Sequence, residues 1–219
     1  MFLPLKDLNP HRRVPVINWL LIIANVAVFV YELTLPPHAQ TSFRMANATI
    51  PARVPEFLAG HASLQAAFVP LVTSMFLHSG FAHILGNMLF LWIFGDNVED
   101  HFGHIGYLLF YFACGIAAGL FHIAFNFHSG VPALGASGAI SGVMAAYALL
   151  YPRASILSLV FIFLVPVPAI VMVGFWFVLQ FLEGLASIGA NVTGSGVAWW
   201  AHIGGFLAGL VLTQISRKR

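Results

Sequence analysis

The chain has 219 residues, 60% of them hydrophobic and only 7% charged, with a formal net charge of +2. A soluble domain carries about 25% charge, so this composition describes an integral membrane protein and excludes a disordered chain or a disulfide scaffold. Nine basic against seven acidic groups make no phosphate-binding field, which excludes nucleic acid as a partner.

A membrane helix needs about 20 mainly apolar residues to cross a hydrocarbon core ~30 Å thick. Six runs qualify as candidates. The first is 14–35, closed by Pro36 and Pro37. It has no small-residue cleavage site after it and is expected to be a span, not a removed signal peptide. The second is 80–97, closed by the charged stretch from Asp96 to Asp100, and the third is 104–125. The fourth is 137–151, closed by Pro152 and Arg153, the fifth is 168–185, and the sixth is 197–215. The apolar run 156–165 is too short to cross and is expected to be interfacial or re-entrant. The lone cysteine, Cys114, is expected to pack as a small hydrophobe.

The expected fold class is all-α, a polytopic membrane protein whose six transmembrane helices form a bundle. Its expected parts are an N-terminal segment 1–13, a membrane domain 14–216 with an outer loop 36–79, and a tail 217–219. Six spans put both termini on one side. Lys6, Arg12, Arg13, Arg153, Arg217, Lys218 and Arg219 then share the inner side, against Arg44 and Arg53 outside. That bias predicts cytoplasmic termini and a multi-pass protein of the cell (inner) membrane.

Polar residues inside spans are expensive and therefore informative. His83 and Asn87 are four apart on one face of the second span, with His78 just before it. They are hydrogen-bond donors, or else glue between helices. The fourth span opens with Gly135, Ala136, Ser137 and Gly138. Glycines around a serine allow a tight turn and leave backbone N–H groups free at a helix start. Gly138 and Gly142 equally read as a close-packing pair. In the sixth span, His202 shares a face with Gly205 and Gly209, which makes the glycine-lined fourth helix its natural neighbour.

The fourth span is about 15 residues, or roughly 22 Å, long, so Ser137 starts below the outer surface. His202 falls roughly 7 Å deep, and His83 and Asn87 roughly 5 to 10 Å, in the same layer. A serine hydroxyl needs a base to become a nucleophile, and His202 is the candidate. The Ser137 N–H, Asn87 and His83 are candidate donors to a tetrahedral oxyanion. Of the carboxylates only Glu183 is conceivable as an orienting group, so the reading is a Ser–His dyad.

This set of motifs, in this order on a six-helix core, resembles the rhomboid intramembrane serine proteases over nearly the whole chain. The resemblance implies Ser137 as nucleophile, His202 as its base, and His83 and Asn87 at the oxyanion site. His78 matches a further family histidine of structural or water-related role, and Glu99 a structural glutamate. It implies substrates that are membrane-spanning segments of other proteins, cut near their outer end, with the lipid bilayer as setting and no cofactor or metal. Two positions depart from the family. Val69 and Pro70 stand where Trp-Arg is frequent, and Ser141 replaces a tyrosine that stacks on the histidine. Phe175, Trp176, Phe177 and Phe181 on the fifth span are a candidate lateral gate, or ordinary lipid contacts. The alternatives are a metal or proton transporter, with zinc on His78, His83 and His202, and an inactive rhomboid-like scaffold that binds helices. Asp100, His101 and His104 are expected in a solvated loop.

Overall fold

The computed structural model describes residues 2–187 and 198–217. The expected start of the sixth span at Val197, and Lys218 and Arg219 of the tail, lie outside those residues.

Strand β1 (Phe2–Asp7) precedes helix α1 (Val16–Thr34). Asn18, Leu21, Asn25, Phe29 and Glu32 recur at three- and four-residue steps, so they form one buried stripe. Leu20, Ile23, Val26 and Val30 lie on the exposed side. The polar members are buried against protein. The Asn18 amide donates to the Leu91 carbonyl at 3.0 Å and accepts from the Tyr107 hydroxyl at 2.8 Å.

The segment 36–79 is expected to be an interfacial loop, and the structure revises this. It holds α2 (Pro37–Asn47), α3 (Arg53–Leu58), α4 (Leu64–Phe68), α5 (Pro70–Thr73) and a 3-10 turn at Ser74–Phe76. Prolines at the first helical turn of α2 and α5 are what start these short helices. The segment is tied to the bundle by Arg44, which bonds the fully buried Glu32 at 2.5 Å and the His78 carbonyl at 3.1 Å.

Helix α6 (Phe81–Phe102) runs five residues past the expected end at 97. The acidic stretch does not break it because its carboxylates find partners. Glu99 is buried and accepts the backbone N–H groups of Ile17 and Asn18 at 3.0 and 2.7 Å, capping α1 from a distance. It also bonds His104 Nδ1 at 2.5 Å. Asp100 accepts from the Arg12 N–H at 3.1 Å. His101 and His104 therefore belong to helix ends and not to a free loop. Gly103, with φ +70°, makes the turn into α7 (His104–Phe125).

Helix α8 (Ser137–Leu150) is buried from Gly138 to Ala148 and forms the axis of the bundle. The run 156–165 does not span, and it is not helical. It is a hairpin of β2 (Ser155–Val160) and β3 (Phe163–Pro168), and β1 pairs antiparallel with β2 to give the order β1-β2-β3. The fold is thus the expected helical bundle, with one small three-stranded sheet added to it. α9 (Ala169–Ser187) and α10 (Trp199–Ser216) complete it.

Helices stand where the sequence places six spans. Val16–Thr34, His104–Phe125 and Ala169–Ser187 are long and apolar enough to cross a membrane, and a fourth counts if Leu64–Phe76 and Phe81–Phe102, bent by 78°, form one span. α8 and α10 are less apolar or shorter because they meet protein on most sides. Their backbones touch. A Cβ on Gly205 would strike the Gly138 carbonyl, and one on Gly209 the backbone of Gly142. Side-chain-free faces bring two helices this close.

Candidate active site

The N-terminal ends of α6, α8 and α10 surround a cavity of about 460 Å³. His83, Asn87, Ser137 and His202 all line it, with Ser79, Met144 and Trp176 among the other walls. Three helices therefore deliver the four polar residues picked out by the sequence to one place.

His202 Nε2 lies 2.7 Å from Ser137 Oγ. Ser137 is the first residue of α8, and the carbonyl of Gly138 next to it takes the close approach of Gly205 in α10, while a Cβ on Gly138 itself would strike Ala118 of α7. The glycine contacts of α8 and α10 thus set the distance between hydroxyl and imidazole. The Ser141 hydroxyl, one turn after Ser137, lies 2.7 Å from the Gly138 carbonyl and 2.9 Å from that of His202. It ties the two backbones together and does not touch the ring. The ring is held instead from α9. Gln180 Oε1 is 2.5 Å from His202 Nδ1, and the Trp176 ring centroid is 5.7 Å from that of His202. Glu183, the one carboxylate considered for this task, is exposed.

His83 Nδ1 accepts the Ser79 N–H at 3.3 Å and faces its hydroxyl at 3.0 Å. The ring proton then sits on Nε2. That atom lies against Gly135, where a Cβ would come within 2.7 Å of it. Gly135 has φ +121°, so glycine is required here both for conformation and for space. Asn87 is buried, and its Nδ2 has no hydrogen-bond partner among the described residues. His78 is fully buried, and its ring meets that of His83 edge-on at 5.0 Å.

The turn before Ser137 leans on the segment 36–79. Thr49 and Ala133 exchange backbone hydrogen bonds of 3.0 and 2.8 Å, and the Gly135 N–H donates to the Ser74 carbonyl at 2.9 Å. The sequence gives no sign of these contacts, because they are made by main chain. Gln180 did carry a sign. It is an amide inside an apolar helix, subject to the cost that singles out the histidines.

No three His, Cys, Asp or Glu side chains among the described residues are grouped to hold a metal. The zinc reading would need His202 nitrogens that already face Ser137 and Gln180.

The Rhomboid domain model matches residues 65–219. The chain belongs to the rhomboid family. It is 33% identical to the yeast (Saccharomyces cerevisiae) Rhomboid protein 1, mitochondrial, over 65% of this chain and 40% of that protein. It is 29% identical to the Arabidopsis thaliana RHOMBOID-like protein 12, mitochondrial, over 90% of this chain and 57% of that protein. The Bacillus subtilis Rhomboid protease GluP is 34% identical over 57% of this chain and 24% of that protein. In all three, the chain matches less than two thirds of the relative's length.

These matches correct the expected location. The rhomboid relatives from yeast and Arabidopsis are mitochondrial proteins by name, which points to a mitochondrial membrane and not to a cell (inner) membrane with cytoplasmic termini. Basic-residue asymmetry reports which side of a bilayer a loop prefers. It does not report which bilayer.

Proposed function

We propose that this rhomboid is an intramembrane serine endopeptidase that cuts membrane-spanning segments of other proteins near one membrane face. The observation that carries the reading is the 2.7 Å approach of Ser137 Oγ to His202 Nε2 in a cavity that Asn87 and His83 also line. In this reading Ser137 Oγ attacks the peptide carbonyl while His202 Nε2 takes its proton. The oxyanion is met by the Ser137 N–H, Asn87 Nδ2 and His83 Nε2–H, donors in place before charge develops. His202 then returns the proton to the leaving amine, and water releases the acyl-enzyme by the reverse exchange.

The surroundings support this substrate class. A peptide bond in a helix is shielded by its own hydrogen bonds, so the segment must unwind to enter, and helix-weakening residues such as glycine near the cut should speed cleavage. In α9, Trp176 faces the cavity and Phe181 the exterior, so this helix is the flank by which a segment would enter sideways.

Labelling with a fluorophosphonate tests the nucleophile. The wild type is expected to be labelled at Ser137, and His202→Ala and Ser137→Ala to resist. Equal labelling of Ser137→Ala would refute the assignment.

A further inference from the structure

A neutral imidazole carries one ring proton, and its location decides whether His202 is a base at all. With the proton on Nε2, the ring would present a donor to Ser137 and could not accept the hydroxyl proton. With the proton on Nδ1, the Nε2 lone pair faces Ser137 Oγ. Resting on the protease reading, we propose that Gln180 is the positioning residue that fixes this choice, its amide oxygen accepting the Nδ1 proton and so holding His202 in the one tautomer that works.

The geometry is specific. Gln180 Oε1 lies 2.5 Å from Nδ1, on the side of the ring opposite the 2.7 Å contact to Ser137. Both residues are buried, Gln180 at 9% exposure and His202 at 8%, so water does not compete for Nδ1. An amide oxygen accepts and never donates. Trp176 lies one turn before Gln180 on the same face of α9 and flanks the ring. The tyrosine that stacks on the histidine in the resembled family is Ser141 here, and it bonds only main chain. α9 therefore supplies the ring with both its flank and its acceptor.

An amide also fits the medium. A carboxylate here would accept the same proton, but at a cost in fold stability for burying its charge that Gln180 avoids. Gln180 touches His202 and not the reacting atoms, so it acts through the imidazole alone.

The test uses the full chain in lipid, comparing wild type, Gln180→Leu, Gln180→Glu and Ser137→Ala. The ring nitrogens of His202 are read by ¹⁵N NMR, assigned by their loss in His202→Ala. Turnover is followed on a single-span substrate. Wild type and Ser137→Ala are expected to hold the proton on Nδ1. Gln180→Leu is expected to show both tautomers in exchange and to lose about 10- to 100-fold in kcat, with KM within about twofold because uniform binding is untouched. Gln180→Glu, which keeps an acceptor at the same reach, is expected to restore Nδ1 protonation and a kcat above that of the leucine variant. Three results would each overturn the proposal. They are a wild type protonated on Nε2, a leucine variant that loses activity while His202 keeps its Nδ1 proton, and a glutamate variant no better than leucine. The NMR comparison with Ser137→Ala needs no turnover. Persistent cleavage by Ser137→Ala would instead sink the protease reading and leave the tautomer result standing.

Discussion

Asn87 shows what a single residue contributes. A buried amide without a partner costs about 1–3 kcal/mol, and the fold bears that cost at the wall of the cavity that holds Ser137. A donor kept idle in this way fits a charge that exists only during reaction. Asn87→Ala is therefore expected to lower kcat by about 10²- to 10³-fold with little change in KM, measured on a reconstituted substrate. A change confined to KM would contradict the oxyanion role. The Glu32–Arg44 pair makes the opposite kind of contribution. Glu32 is fully buried and bonded to Arg44. Arg44→Ala should lower stability by about 3–5 kcal/mol in a thermal unfolding assay, and Glu32→Gln should soften the loss. The sequence made such residues conspicuous whenever a polar group interrupted an apolar run, which is why His83, Asn87, Ser137 and His202 were legible. Gln180 met the same criterion. Its amide is less conspicuous than a carboxylate as an orienting group for an imidazole, because it carries no charge.

At the scale of elements, the α8–α10 contact sets the approach of Ser137 to His202. Gly205 packs on the Gly138 carbonyl next to Ser141, one turn from both partners of the 2.7 Å contact. Gly205→Leu is expected to wedge the helices apart and abolish cleavage, whereas Gly174→Ala, with open space around it, should leave cleavage intact. Equal activity in both variants would show that this spacing is not critical. Strand β1 provides a second case. Asp7 at its end accepts the Tyr147 hydroxyl at 2.7 Å and the Asn9 N–H at 2.8 Å, and burial pushes its carboxyl above the ordinary carboxylate range. The folded state then binds this proton more tightly than the unfolded chain does. The Asp7 contribution is greatest below the ordinary carboxylate value and is lost as pH rises through the raised one. The Tm of wild type should therefore gain on that of Asp7→Asn as the solution is acidified. Parallel pH profiles would contradict the burial of this carboxyl. The sheet itself was not legible in the sequence. Its hairpin is as apolar as a short helix, and its third strand comes from the N-terminus, some 150 residues away along the chain.

At the scale of the whole molecule, the bundle separates two polar regions. The cavity with Ser137 and His202 lies at the N-terminal ends of α6, α8 and α10. Near the C-terminal ends of α6 and α8, Asp7, Glu99 and Asp100 clamp β1 and the start of α1 to the bundle. Hydrophobic periodicity and run length made the helical core legible, since both are local. The contacts that support the site from segment 36–79 are long-range main-chain bonds, invisible to any reading by residue type. The most direct test of the central claim is cleavage of a single-span substrate by the full chain in liposomes, with Ser137→Ala and His202→Ala as controls. The account predicts cleavage by wild type, at a site near one membrane face, and almost none by either variant. Full cleavage by Ser137→Ala would contradict it.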